Sequence, residues 1–325
     1  MAPRPSPVSP NPPAKKKGKG CLIGCLSLVG ILIVVFAGLE VFRRYTVRRM
    51  DETFLQTYQP SPQIAEIAEK TTMTDTAKKI FYRADPEFVP TDVFVRYCLE
   101  KKGVELALAC ARSDTPGEKK STGPRIFLLQ IEDPRFTYNK FPSSAHELLH
   151  LIYHRLTAQD KSRLTPLLDA ELQRHQDDLH LMEIVDIIKN SGGDQEVILN
   201  EMHSVFGVEF RDISPELETH YAQYFADRLQ VVAMYETGGL ETRTRKLDQL
   251  SQETKALNTK LVGLSNQLTN LKNTGADDQY NNLIPQYNAL VNQYNSKVRE
   301  GNKIFAEVEV FYKLINPDFQ PPQEK

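Results

Sequence analysis

The stretch "SSAHELLHLIYHRL", residues 143–156, contains the residue types of a catalytic metal site at a spacing that helix geometry can use. In an α-helix His146 and His150 lie four residues apart on one face, so both imidazoles can bind one ion. Glu147 projects about 100° away and can contact a water on that ion without binding the ion itself. Because catalytic zinc takes three protein ligands and keeps one position open, the motif predicts a zinc site that still lacks one ligand.

An ordinary capped helix is the alternative explanation of the same letters. Ser144 and Glu147 form an S-x-x-E capping box, which gives the glutamate a structural role. Two features favour the metal site. Leu148, Leu149 and their neighbours predict an apolar, buried helix, in which two unpaired imidazoles would be costly. The helix also follows "RIFLLQIED", which we interpret as an edge strand beside a cleft.

The third ligand is sought in "VILNEMHSVFGVEF", residues 197–210. If this stretch is a helix, Glu201 stands on a short polar patch between apolar residues. A carboxylate there completes a His/His/Glu set, which is a known catalytic zinc combination. His203 and Glu209 are the alternative ligands.

HELLH followed by N-E-x-x-S at 200–204 resembles the gluzincin metallopeptidases, the thermolysin-like group within the zincins. The resemblance implies that His146, His150 and Glu201 bind zinc and that Glu147 is the general base. It covers two short motifs, and the gap of 50 residues between His150 and Glu201 is longer than in thermolysin-like enzymes. Val205 also stands where an acidic residue often orients a histidine. A partner for the histidines must then come from elsewhere, with Asp227 and Glu209 as candidates.

A peptidase also needs a hydrogen-bond donor for the oxyanion that forms at the attacked carbonyl. Tyr221 and His220, in "ETHYAQYFADR", are candidates. The same letters also fit core residues of an amphipathic helix, and both interpretations stay open.

An apolar run at residues 21–42, "CLIGCLSLVGILIVVFAGLEVF", predicts a transmembrane helix. Its 22 residues are long enough for a hydrocarbon core of about 30 Å, and no small-residue cleavage sequence follows it. A slight excess of basic residues before the span predicts a cytoplasmic N-terminus and an extracytoplasmic catalytic domain. Residues 1–20, rich in proline and lysine, predict a disordered tail.

The rest of the chain predicts an α+β, mainly helical, zincin-like domain at 85–238, preceded by a linker with short helices at 43–84. Its small sheet is expected from the runs "TDVFVRYCLE", "GVELALACA" and "RIFLLQIED". Cys98 and Cys110 would form a disulfide if this domain is extracytoplasmic; two small buried residues are the other interpretation.

Two heptad series predict an antiparallel coiled-coil hairpin at 239–315, followed by a disordered tail at 316–325. In the first series residues such as Leu247, Leu250 and Leu257 alternate at steps of three and four. In the second, Tyr280, Ile284 and the residues after them follow the same rule. Such seams pair within one chain or between chains, so the oligomeric state stays open.

Together these features predict a membrane-anchored zinc metallopeptidase that hydrolyses peptide bonds by a zinc-activated water, with Glu147 as general base and Zn2+ as cofactor. The expected partners are a peptide or protein substrate near the membrane, the lipid bilayer through residues 21–42, and a protein on the hairpin. The net charge of −2 gives no indication of a nucleic-acid partner. The alternative is a catalytically inactive, zincin-like, membrane-tethered scaffold that acts through its hairpin.

Overall fold

A computed structural model of the chain describes residues 52–99, 108–112 and 123–315, with isolated positions between 35 and 49. The chain divides into two compact units, Met1–Gln56 and Thr57–Lys325, and the named helices and strands lie in the second. Among the described residues no helix is both long and apolar enough to cross a membrane. The predicted transmembrane helix at 21–42 lies outside them apart from four positions, as do the predicted tails at 1–20 and 316–325.

The second unit is mainly helical with one small sheet, which confirms the predicted α+β class. Its strands are β1 (Glu87–Val89), β2 (Ala109–Arg112) and β3 (Arg125–Leu129). Its first helices are α1 (Pro62–Lys70), α2 (Asp75–Arg83), α3 (Thr91–Phe94), α4 (Lys140–Arg155), α5 (Ala158–Arg174) and α6 (Leu179–Asn190). Then come α7 (Gln195–Val208), α8 (Pro215–Tyr221), α9 (Arg228–Gly238), α10 (Leu240–Asn273) and α11 (Asp277–Ile315).

The sheet has the order β1-β3-β2, with β1 parallel and β2 antiparallel to β3. The prediction that "RIFLLQIED" forms an edge strand is therefore wrong, because β3 is the central strand. Its side chains alternate: Ile126 and Leu128 enter the larger core, while Phe127 and Leu129 enter a second one. A strand buried on both faces explains the unbroken apolar run.

The stretch predicted as the first strand, "TDVFVRYCLE", is helical instead over residues 91–99, the part that the structure describes. Helix α3 continues as a π-helical turn over Val95–Leu99. Phe94, Tyr97 and Cys98 pack on the second core at helical spacing, a pattern that a short apolar run cannot distinguish from a strand. The turn brings Cys98 to β2, where it forms a disulfide with Cys110 across a Cα–Cα distance of 5.8 Å.

The first two helices, α1 and α2, lie in the stretch predicted as a linker with short helices. They pack into the main core, where Ile67 and Phe81 are fully buried. Each begins at a polar cap: Ser61 accepts from Ile64 N, and Thr74 accepts from Ala77 N. The compact body thus begins before residue 85.

Helix α4, which carries the H-E-x-x-H motif, begins earlier than the sequence predicted. It begins at Lys140 after a 3-10 turn, so Ser144 lies inside the helix and is buried. The predicted capping box of Ser144 and Glu147 is wrong, since neither residue is at the helix end. Glu147 therefore has no capping role.

Helix α7 packs closely against α4 because Gly207 offers no side chain at their contact. A Cβ on Gly207 would clash with Leu149 Cδ1 and would lie 2.9 Å from Tyr221 Cε1. Leu149 and Tyr221 are themselves fully buried. This close approach sets the distance between α4 and the residues of α7 that face it.

A buried arginine holds the C-terminal end of α7. Arg228 donates from Nη1 to the carbonyls of Phe206 and Phe210, at 3.2 and 2.6 Å, and from Nη2 to that of Arg211. Its charge is balanced by Glu218, whose Oε2 lies 2.8 Å from Arg228 Nε. Carbonyls that a helix end leaves unpaired are thus satisfied by one side chain.

Helices α10 and α11 form an antiparallel hairpin joined by the turn at 274–276. Every residue of the two predicted heptad series is at least partly buried. The base of the hairpin belongs to the second core, where Leu240, Val308 and Phe311 pack against β3 and Phe136. The hairpin is therefore rooted on the face of the sheet opposite the larger core.

Replacing Gly207 with alanine should destabilise the fold by about 1–3 kcal/mol, because the added methyl group overpacks the contact of α4, α7 and Tyr221. The matched control is Gly263→Ala in α10, where an added Cβ meets nothing within 4 Å. There the substitution should be neutral or stabilising by up to about 1 kcal/mol, from helix propensity alone. Urea unfolding of both variants measures the difference, and equal effects would contradict this view of the contact.

Candidate metal centre

The two motif histidines and Glu201 come together between two facing helices. His146 and His150 project from one face of α4, with their ring centroids 4.7 Å apart. Glu201 reaches them from α7: its Oε1 lies 3.3 Å from His146 Nε2, and its Oε2 lies 3.5 Å from His150 Nε2. One carboxylate therefore contacts both imidazoles, each through the Nε2 atom that could bind an ion.

These distances fit a tetrahedral zinc site. Zinc lies 2.0–2.2 Å from histidine nitrogens and carboxylate oxygens, so neighbouring ligand atoms in a tetrahedron are about 3.4 Å apart. The nitrogen–oxygen distances of 3.3 and 3.5 Å are close to that value, and each joins a histidine to a different oxygen of the carboxylate. In the metal-free chain the same contacts are those of an ion pair, and a metal would compete for the same lone pairs.

Glu147 is the other acidic group at this centre. It is 9% exposed, and one of its oxygens lies within 4.8 Å of a ring nitrogen of each histidine. Among the described residues no side chain forms a hydrogen bond or ion pair with its carboxylate. Its position admits two roles, a ligand that replaces Glu201 or a base beside the ion.

The electrostatics of the centre are those of a strongly coupled pair. Burial opposes the charge of His146, but contact with the Glu201 carboxylate outweighs it and raises the pKa of His146 to about 9. Burial would likewise raise the pKa of Glu201, yet His146 and the nearby His150 lower it to about 2. The side chains of His146, His150 and Glu201 are 20, 16 and 27% exposed, so solvent and a ligand can reach them.

Histidine ligands usually donate their second ring nitrogen to a neighbouring acceptor. In the described part of the chain His150 Nδ1 is buried without a hydrogen-bond partner, and so is Asn200 Oδ1 on the facing helix. The two suggested carboxylates are engaged elsewhere. Asp227 caps α9 by accepting from Gln230 N, and Glu209 accepts from Arg245 at 2.9 Å.

The alternative ligand His203 lies on the inner side of α7. It is fully buried, and its Nε2 is 2.9 Å from Nε2 of His220. The Tyr221 hydroxyl is also buried and donates to the His203 carbonyl at 2.7 Å. Both residues named as oxyanion donors, His220 and Tyr221, thus belong to a polar cluster around His203, and Tyr221 has no free hydroxyl to offer a substrate.

His154 continues the histidine row of α4. It lies four residues after His150 and is exposed, and Asn200 Nδ2 approaches its Nε2 to 3.5 Å. Burial of its ring, together with the nearby charges of His150 and Lys161, lowers the pKa of His154. The spacing of His146, His150 and His154 at steps of four predicts that all three lie on one face of the helix, and this was the signal for His154.

Comparison with known proteins gives no match for this chain, whether with protein-family models, with curated proteins or with solved structures. What supports a function is therefore the geometry of the site itself. The imidazoles of His146 and His150 and the Glu201 carboxylate are groups that can bind a metal ion, and Glu147 beside them can accept a proton.

The stability of the fold should fall as the pH falls from about 6.5 to about 4, in part through His220. Burial lowers the pKa of His220 from 6.5 to about 4. Between those values the unfolded chain binds more protons than the folded chain, so acid favours unfolding. His220→Gln, which cannot titrate, should lose on the order of 2–3 kcal/mol of this pH dependence.

Urea unfolding at pH 7.5 and at pH 4.5 measures the difference between the parent chain and the His220→Gln variant. His154→Gln, at an exposed histidine, is the control and should change the pH dependence less. An unchanged slope in His220→Gln would show that His220 titrates freely in the folded chain.

Proposed function

We propose that this chain is a membrane-anchored, zincin-like zinc metallopeptidase that hydrolyses a peptide bond of a protein or peptide substrate near the membrane. The observation that carries the proposal is the contact of Glu201 with both motif histidines at separations that suit one zinc ion. The position of Glu147 supports it further, because one of its carboxylate oxygens lies within 4.8 Å of a ring nitrogen of each histidine, where it could contact a water on the same ion.

Each residue of the centre has a defined role in this proposal. Zinc, when bound, supplies a Lewis acid that polarises the substrate carbonyl and lowers the pKa of a water. His146 and His150 would hold the ion through Nε2, and Glu201 would be the third ligand. Glu147 would take the proton of the attacking water and pass it to the leaving amine.

The cellular placement is part of the same proposal. Residues 21–42 would span the membrane, with the N-terminus in the cytoplasm and the folded unit outside. The Cys98–Cys110 disulfide supports this orientation, because disulfides persist in oxidising compartments.

The purified chain should contain about one zinc ion, and His146→Ala and Glu201→Ala should each lose it, because two ligands alone hold zinc weakly. Elemental analysis after dialysis against a weak chelator measures the content. Glu147→Gln is the matched control: it should keep the zinc, since Glu147 is not a ligand in this proposal.

Two other results would change the ligand set. Zinc that survives in Glu201→Ala but is lost in Glu147→Gln would make Glu147 the third ligand. No zinc in the parent chain, even after reconstitution, would contradict the proposal and leave the centre an ion pair.

Cleavage of a peptide library should fall by about 10²–10⁴-fold in Glu147→Gln at unchanged zinc content, since the variant removes a proton acceptor and little else. Mass spectrometry of the products measures the turnover. Cleavage that persists at the parental rate would exclude Glu147 as the base.

A second function is favoured by one observation: the Tyr221 hydroxyl, a candidate oxyanion donor, is already used in a hydrogen bond to the His203 carbonyl. On this alternative the zincin-like domain is a catalytically inactive scaffold, and the protein acts through its hairpin. The Glu147→Gln variant separates the two functions in cells: a scaffold would work normally with it, and a peptidase would not.

A further inference from the structure

The outer part of the hairpin, which we call the distal arm, is formed by residues 257–298 of α10, its turn and α11. Its apolar residues have no complete cover: within the arm only Leu268 is buried, and the other residues of the heptad series are half-buried. Nearer the base the same series is buried at Leu250 and Val308. The arm therefore keeps apolar surface that one facing helix does not remove from water.

The apolar surface of α11 is wider in the arm than a two-helix seam requires. Leu283 and Leu290 stand beside the seam, one heptad apart, and both are half-buried. A stripe of seam residues plus one flanking position is typical of helices in bundles of more than two helices. Leu283 and Leu290 thus mark one edge of α11 as a face for a further helix.

Along the hairpin the residues at this edge of α11 change from charged to apolar. At the base of the arm it is closed by an ion pair, in which Lys297 Nζ lies 2.7 Å from Glu253 Oε2 across the two helices. One heptad further out Leu290 occupies the position of Lys297, and one heptad beyond it Leu283 does.

The flanks of this face are free of charge. Residues 261–271 and 279–296 contain no Asp, Glu, Lys or Arg, in a chain of which 25% is charged. Their exposed positions are mainly Asn, Gln, Ser and Thr, and Tyr280, Tyr287 and Tyr294 recur every seven residues on the seam. Depletion of charge with enrichment of tyrosine is typical of protein–protein interfaces and not of a solvated helix.

We propose that the distal arm is the contact surface of a homodimer, in which the arms of two chains pack as a four-helix bundle. An uncharged face meets its own copy without like-charge repulsion, whereas a charged partner would find no counter-charge on it. Two half-covered seams would complete each other, and the leucine edges of the two chains would become buried together. This inference does not depend on the metal centre.

The test places three negative charges beside the leucine edge of the full chain in detergent micelles. Gln279, Gln286 and Gln293 are exposed, and the first two lie four residues before Leu283 and Leu290 on the same face. Replacing all three with glutamate alters one atom in each side chain and leaves the seam intact. Sedimentation analysis should show a dimer for the parent chain and at least a tenfold higher dissociation constant for the triple variant, with unchanged circular dichroism.

The matched control carries the same charge on the other edge of α11: Asn281→Asp, Asn288→Asp and Asn295→Asp should leave the dimer intact. Lysine in place of the three glutamines should also weaken the dimer, and mixing this variant with the glutamate variant should restore a mixed dimer. A parent chain that is monomeric at all concentrations would overturn the proposal. So would a dimer that the glutamates leave unchanged, or one that both sets of acidic substitutions weaken equally.

Discussion

The contact of α4 with α7 at Gly207 is the constraint on which the site depends. Because Gly207 has no side chain, the two helices approach closely at Leu149, and Glu201 is carried to the histidine face of α4. Arg228 holds the C-terminal end of the same helix. The residue is 2% exposed, and its guanidinium donates to the carbonyl of Phe206 inside the helix and to that of Phe210 beyond it. The centre is thus built on two packed helices and not on loops, which favours a fixed ligand geometry.

The position of Glu201 is stabilised by its two imidazole partners. A metal ion at this site would compete with these contacts for the same ring nitrogens and carboxylate. An ordinary zinc site of this kind requires the histidines to be neutral, so a bound ion and the ion pair exclude each other. Glu147 has no hydrogen-bond or ion-pair partner among the described side chains, which leaves its carboxylate available for the role proposed above.

Much of the site could be predicted from the sequence because it depends on local periodicity. Residues four apart share a helix face whatever surrounds them, and Glu201 stood out as a carboxylate on a short polar patch between apolar residues. The failures concern features that distant residues decide. Helix α4 begins at Lys140, directly after a 3-10 turn. The run "TDVFVRYCLE" is helical over its described residues because its apolar side chains pack into the second core. The sequence left Tyr221 as a candidate oxyanion donor. In the structure its hydroxyl donates to the His203 carbonyl, a contact that residue spacing does not predict.

The X-ray absorption spectrum of zinc in the loaded chain would test the ligand set in which His146, His150 and Glu201 hold one ion. The geometry predicts scattering from two imidazoles at about 2.0–2.1 Å and from oxygens at about 2.0–2.2 Å. In Glu201→Ala, loaded with excess zinc, the two imidazoles should remain and the carboxylate oxygen should be replaced by water or lost. A spectrum without imidazole scattering, or one that His146→Ala leaves unchanged, would contradict this ligand set.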